Sequence, residues 1–137
     1  MTLIQEKTVD FVVSGIFLMH NSQSLYLLRN TDNCWGVPAG KVESGETPLQ
    51  AIIREVFEET GITLTQTDIT EVKTYYCKHG TKTFAYVLFQ SQLHRKPVIT
   101  LNAEHSDYAW ATPLEALDLE LIEDEDICIK ETFGIEV

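Results

Sequence analysis

The sequence predicts a mixed strand-and-helix fold, α+β or α/β, with strands outnumbering helices. Three features carry this expectation. Runs of β-branched and aromatic residues recur from residue 9 to residue 90. One segment, 48–60, carries helix start and stop signals at its two ends. No internal repeat, low-complexity tract or Gly/Ser-rich linker divides the chain, so residues 1–137 read as a single domain.

In chain order, Val9 to Met19 (VDFVVSGIFLM) reads as a mostly buried strand. The HNSQ turn follows, and Ser24 to Arg29 (SLYLLR) is its expected hairpin partner. The helix over Pro48–Thr60 is the clearest element. Thr47 can cap it, Gln50 three residues later completes a capping box, and Pro48 occupies the first helical position. Gly61 stands where a helix ends in a left-handed residue. Glu71 to Cys77 and Thr83 to Gln90 (TFAYVLFQ) read as two further strands joined across His79-Gly80, and Asp107 to Thr112 as a shorter one. Pro113 to Leu117 predicts a short helical turn and Glu123 to Phe133 a second helix. The acidic stretch LEALDLELIEDEDICIKE is expected to be a solvated helix face.

Composition bounds the function. Hydrophobic residues make up 44% of the chain, enough for one core, and a charged fraction of 23% is not that of a disordered chain. Ten Lys and Arg against 21 Asp and Glu give a formal charge of −11, which repels long polyphosphate chains. Double-stranded nucleic acid, an anionic membrane and an RNA-tracking role are therefore disfavoured, whereas a small anion bridged to carboxylates by a divalent cation is compatible. No apolar stretch approaches the ~20 residues of a membrane span. Cys34, Cys77 and Cys128 are odd in number, widely spaced and without a CxxC pair, so neither a disulfide framework nor a zinc site is signalled. With no secretion signal in MTLIQEKTVD, the expected location is the cytoplasm.

On the 48–60 helix, at ~100° per residue, Leu49, Ile52, Ile53 and Val56 form one stripe suited to packing on a sheet. Glu55, Glu58 and Glu59 share the other side at i, i+3 and i, i+4 spacing. A merely solvated acidic face fits poorly here. The like charges repel, and Glu58 and Glu59 sit in the last turn, against the helix dipole. Carboxylates gathered in this way are explained by a hard divalent cation, Mg²⁺ with Mn²⁺ as a substitute, and Arg54 beside them can orient one of the acids. The preceding GKVESGET comes close to a phosphate-binding loop, but Glu46 replaces the required lysine and would repel phosphates. No GxGxxG, HExxH or GxSxG is present, and none of His20, His79, His94 and His105 has a second histidine at metal-ligand spacing.

These residues make up a known signature. From Gly40 to Ile62, GKVESGETPLQAIIREVFEETGI matches the Nudix box G-x5-E-x7-R-E-U-x-E-E-x-G-U at Gly40, Glu46, Arg54, Glu55, Val56, Glu58, Glu59, Gly61 and Ile62, and the chain thus resembles the Nudix hydrolases. Trp35-Gly36-Val37-Pro38-Ala39 is similar to the family's lead-in, with Ala39 where a second glycine is common. The resemblance implies an α/β/α sandwich around a mixed sheet, the box forming loop, helix and loop. It implies hydrolysis of a nucleoside diphosphate linked to another moiety. Carried over residue by residue, it makes Glu55, Glu58 and Glu59 metal ligands, brings the Gly40 backbone near the metal, and has Glu46 and Arg54 brace loop and helix. Such a reaction needs the phosphate charge neutralised and water delivered in line, with a carboxylate taking the proton. Glu58, inside the box, and Glu104, six residues before Trp110 and placed like a catalytic glutamate of some family members, are both candidates.

Arg29 and Lys41 are candidate phosphate contacts, and Tyr75, Tyr76 and Tyr108 candidate platforms for a nucleobase. Family members acting on ADP-ribose often carry a proline at the place Tyr76 occupies. The expected substrate is therefore a nucleoside triphosphate or a modified form of one, with ADP-ribose or another nucleoside-diphosphate sugar as the alternative. A non-catalytic nucleotide sensor is the competing class, disfavoured because every box glutamate is present. The expected partner is a small-molecule nucleotide; pairing as a homodimer stays open.

Overall fold

The computed structural model describes residues 2–4, as backbone, and residues 8–136. Among these residues eight strands form one sheet: β1 (Thr2–Ile4), β2 (Phe11–His20), β3 (Gln23–Arg29), β4 (Trp35–Gly36), β5 (Ala39–Lys41), β6 (Thr70–His79), β7 (Lys82–Gln92) and β8 (His105–Ala111). The helices are α1 (Pro48–Thr60), α2 (Pro113–Ala116) and α3 (Glu125–Phe133). The order across the sheet is β1-β6-β7-β2-β3-β4, with β5 on β2 and β8 on β3. The pairing of β2 with β7 is parallel and the other strand pairs are antiparallel, which makes the sheet mixed.

Local chemistry accounts for the elements legible in sequence. His20 pairs with Gln23 across Asn21 and Ser22, whose φ values of 48° and 68° meet the positive-φ requirement of a tight hairpin turn. The α1 boundaries are those expected. Gln50 N donates to Thr47 Oγ1 (3.1 Å) and Thr47 N to Gln50 Oε1 (2.9 Å), while Gly61 at φ 78° closes the other end. The hydroxyl of Ser14 then ties the first helical residue to β2 by donating to Pro48 O (2.8 Å).

The apolar residues fall on two faces, as the alternation of strand side chains requires. On one, Ile16, Leu18, Leu25, Leu27, Val87 and Phe89 pack against Ile52 and Val56 of α1, with Leu49 and Ile53 at the margin. On the other, Phe17, Tyr26, Tyr75, Cys77 and Tyr86 pack against Cys128, Ile129 and Phe133 of α3. The result is an α/β/α sandwich.

Some expectations need correction. The second helix starts at Glu125 rather than Glu123, because Asp124 takes a left-handed conformation (φ 68°) that an α-helix cannot include. Its segment is not a solvated face: Glu125, Cys128 and Ile129 are buried. Tyr75 is core, its hydroxyl donating to Glu131 Oε1 (2.7 Å), and is no platform for a base. Strand β8 begins at His105, two residues early, where it pairs with Arg29. The short β4 and β5 carry no pattern of their own and are strands only because β3 and β2 offer them partners.

Candidate active site

Loop 41–47 and helix α1 are locked together by one cation. The Arg54 guanidinium donates through Nε to Glu46 Oε2 (2.8 Å), through Nη2 to Glu46 Oε1 (3.0 Å) and to Lys41 O (3.0 Å), and through Nη1 to Glu55 Oε1 (2.8 Å). A forked guanidinium suits this bidentate task and lysine would not. Glu46 also accepts from Glu43 N (3.0 Å), and Arg54 foremost holds its carboxyl at about 2, well below the ordinary range.

The three glutamates expected to act together occupy unlike environments. Glu59 is 3% exposed, with Oε1 accepting from Ala39 N (3.2 Å). Glu55 lies against it. Burial first, then the Glu55 carboxylate, pushes Glu59 up to about 9. Burial also raises Glu55, with Arg54 opposing. The side chain of Glu58 is 52% exposed and is drawn by Arg54 Nη1 at 3.3 Å. Among the described residues, no three His, Cys, Asp or Glu side chains already converge on one metal point. The Glu55–Glu59 pair nonetheless fits a small divalent cation. A buried and a half-buried oxygen donor lie together at the expense of their own ionisation, and a positive ion between them removes that expense. Gly40 contributes space: a Cβ there would stand 2.1 Å from Glu55 Cδ, so only glycine lets the carboxyl lie against the β5 backbone.

Glu104 reaches the same place from the loop that precedes β8. Its loop is fastened to the end of β3 by Asn30, whose N donates to Glu104 O (2.9 Å) and whose Nδ2 donates to Ala103 O (2.6 Å). Glu104, Glu59, His105, Ala39, Gly36 and Arg29 line a cleft of about 170 Å³, and the charge of Glu104 is felt at Glu59. A larger cleft of about 520 Å³ shares Arg29 and Ile122 with it, so the two adjoin. Phe11 and Phe84 line the larger one, stacked with centroids 5.1 Å apart. The Lys41 ammonium sits 4.5 Å over the Phe11 ring, and Arg29 pairs with Asp32, Nε donating to Oδ1 (3.2 Å).

Tyr76 lines neither cleft. It is in register with Ala85 and Val12, whereas Phe84 is in register with Phe11 and Cys77, so Tyr76 belongs to the opposite face of the sheet. Tyr108, 42% exposed on β8, also lies outside both. Sequence reasoning passed over Phe11, Phe84 and Ile122. Aromatic residues in two separate strands carry no sign that the strands lie side by side and parallel.

Comparison with known proteins adds an independent line. A family model described as NUDIX domain matches residues 10–132. A MutT-like protein of Streptomyces ambofaciens is 30% identical over 106 residues, 75% of this chain and 64% of that protein. The nucleoside triphosphatase NudI of Salmonella schwarzengrund is 32% identical over 112 residues, covering 72% and 79%. An RNA pyrophosphohydrolase of Baumannia cicadellinicola is 39% identical over 68 residues, 50% of this chain and 41% of that protein. The chain thus spans less than two thirds of the length of the first and third of these. Among solved structures, the E. coli dihydroneopterin triphosphate pyrophosphohydrolase superposes with a TM-score of 0.77 at 23% identity, covering 90% of this chain and 95% of that one, a likeness of fold.

Proposed function

The chain belongs to the NUDIX domain family, and from that premise we propose that it hydrolyses a phosphoanhydride bond in a nucleoside triphosphate or a modified form of one, with Mg²⁺ as cofactor. The observation that carries the reading is buried Glu59, with half-buried Glu55 against it, lining a cleft that also holds Glu104 and adjoins a larger cleft with a stacked aromatic pair. A cavity of about 520 Å³ is of the size that takes a nucleoside. The preference for a triphosphate is supported by NudI, a nucleoside triphosphatase matched over 79% of its length.

In this mechanism Glu55 and Glu59, with Glu58 swung from Arg54, would hold the divalent ion. When bound, the ion supplies Lewis acidity toward the phosphate oxygens and neutralises their charge. Arg29 stands where the two clefts meet and pairs with phosphate oxygens in exchange for Asp32. Phe11, half-buried with core Phe84 stacked behind it, receives the base, and the charge of Lys41 lies at the same ring. Glu104, with its loop anchored by Asn30, takes the proton from the attacking water; Glu58 is the less suitable base, being outside the lined cleft and engaged by Arg54. The three free cysteines accord with a reducing cytoplasm.

The test is a panel of nucleoside triphosphates, oxidised triphosphates, diphosphate sugars and ADP-ribose, with Mg²⁺ or Mn²⁺ and detection of phosphate and pyrophosphate. Turnover is expected, fastest with a triphosphate. Binding of a nucleotide by calorimetry without any product across the panel would replace the enzyme by a sensor.

A further inference from the structure

Glu125 is a carboxylate with no place in the mechanism above. It is the first residue of α3, 2% exposed, and its Oε1 accepts from Val37 N at 2.9 Å. An ionisable group so deep in an apolar layer costs free energy, and burial pushes it up to about 7. Helix capping does not explain it, because an apolar residue at this position would leave α3 its backbone turn from Glu125 N to Ile122 O (3.1 Å).

What Glu125 holds is the wall of the smaller cleft. Val37 belongs to the segment 36–39, of which Gly36, Val37 and Ala39 line that cleft. Two residues on, Ala39 N donates to Glu59 Oε1 from the side of α1. Strand pairing holds the ends of the segment, Gly36 against Leu27 and Ala39 against Gly15, and between them Ile16 N donates to Pro38 O (3.1 Å). Alternate amides of one short segment are thus gripped by acids from opposite faces of the sheet. The 120–122 segment is fastened to the same place, through Trp35 N to Glu120 O (2.7 Å) and Ile122 N to Trp35 O (2.9 Å). Ile122 stands over Gly36, where a Cβ would meet its Cδ1 at 2.9 Å.

We propose that Glu125 is a positioning residue for the hydrolytic cleft: by holding the Val37 amide it fixes segment 36–39, so that Ala39 N–H orients the Glu59 carboxyl toward the divalent ion. The inference rests on the metal reading given above. It separates the reach of the side chain from its charge. Glu125→Gln keeps an acceptor oxygen at the same distance and loses the charge. Glu125→Asp keeps the charge but withdraws the oxygen by about one carbon–carbon bond, ~1.5 Å, too far for a hydrogen bond to Val37.

The experiment is titration of Mn²⁺ into the metal-free full chain and its two variants by calorimetry, with amide hydrogen exchange followed at Val37 and Ala39. Glu125→Asp is expected to bind Mn²⁺ on the order of tenfold more weakly, as loss of an outer support of a metal site does, and to lose protection at Val37. Glu125→Gln is expected to stay within about twofold of the parent affinity, since it loses no first ligand or acceptor. Parent-like affinity in Glu125→Asp, or equal weakening in both variants, would overturn the proposal. A parent chain that takes up no Mn²⁺ would instead fell the functional reading. Val37 exchange would then decide the remaining claim, with equal protection in the Asp variant and the parent counting against it.

Discussion

Gly40→Ala tests the geometry of the site with the smallest available change. The glycine needs no positive φ, so alanine is acceptable to the backbone, and loss of unfolded-chain freedom would stabilise by about 0.4–1 kcal/mol. The added methyl, however, would lie 2.1 Å from Glu55 Cδ and 2.3 and 2.5 Å from its two oxygens. Restoring ordinary contact near 3.4 Å requires the carboxyl carbon to withdraw by about 1.3 Å, and the mobile end of the side chain will give way before the strand. That shift breaks the 2.8 Å contact with Arg54 Nη1 and parts Glu55 from Glu59. A displacement of ~1 Å in a catalytic constellation costs on the order of a hundredfold, equivalent to about 2.7 kcal/mol of barrier. The assay pairs kcat/KM on the best substrate of the panel with a thermal melt. The expected result is a melt within a few degrees of the parent and a loss near a hundredfold. In a Glu55→Ala background, where nothing remains to displace, Gly40→Ala should cost little more. Activity above half of the parent, or an equal further loss in that background, would refute the steric argument.

Other perturbations follow from the same environments. Glu59→Gln should abolish turnover yet leave the metal-free fold as stable or more stable, because it removes a buried acid set against Glu55 while its amide oxygen still accepts from Ala39; comparable turnover in that variant would remove Glu59 from the ligand set. Glu104→Gln should lower kcat with Mn²⁺ affinity little changed, and parent-like rates would return the base role to Glu58. Glu125 is raised to about 7 and Glu59 to about 9, so their contribution to metal-free stability is complete below about 4.5 and is lost as pH rises through those values. Denaturant melts from pH 5 to pH 9 should therefore show stability falling, and Glu125→Gln should flatten the curve by on the order of 3 kcal/mol. A fall as steep in the variant would mean that Glu125 is ionised at no cost in the folded chain. At the acid end Glu46, held near 2 by Arg54, works in the opposite sense: its pairing is complete above about 4.5 and is lost as pH falls toward 2.

Much of this protein was legible in its sequence because the relevant physics is local. Thr47, Pro48, Gln50 and Gly61 fix both ends of α1 through bonds spanning at most four residues, and the stripe of Leu49, Ile52, Ile53 and Val56 fixes which side faces the sheet. The resemblance to the Nudix box anticipated the brace of Glu46 and Arg54 between loop and helix, two residues that stand eight positions apart.

What the sequence left undecided are the properties set by neighbours distant along the chain. Periodicity put Glu55, Glu58 and Glu59 on one helix face, but the β5 backbone meeting that face decides that Glu59 is enclosed, Glu55 half enclosed and Glu58 open to solvent. The parallel pairing of β2 with β7 makes one aromatic pair of Phe11 and Phe84, and the same register sends Tyr76 to the other face. Glu125 read as one more acid in an acidic tail until α3, folded back on the sheet, carried it to an amide 88 positions away. Local bonds choose helix and turn because their partners lie within a few residues; burial, and with it the chemistry of a carboxyl group, is chosen by whatever the rest of the chain places against it.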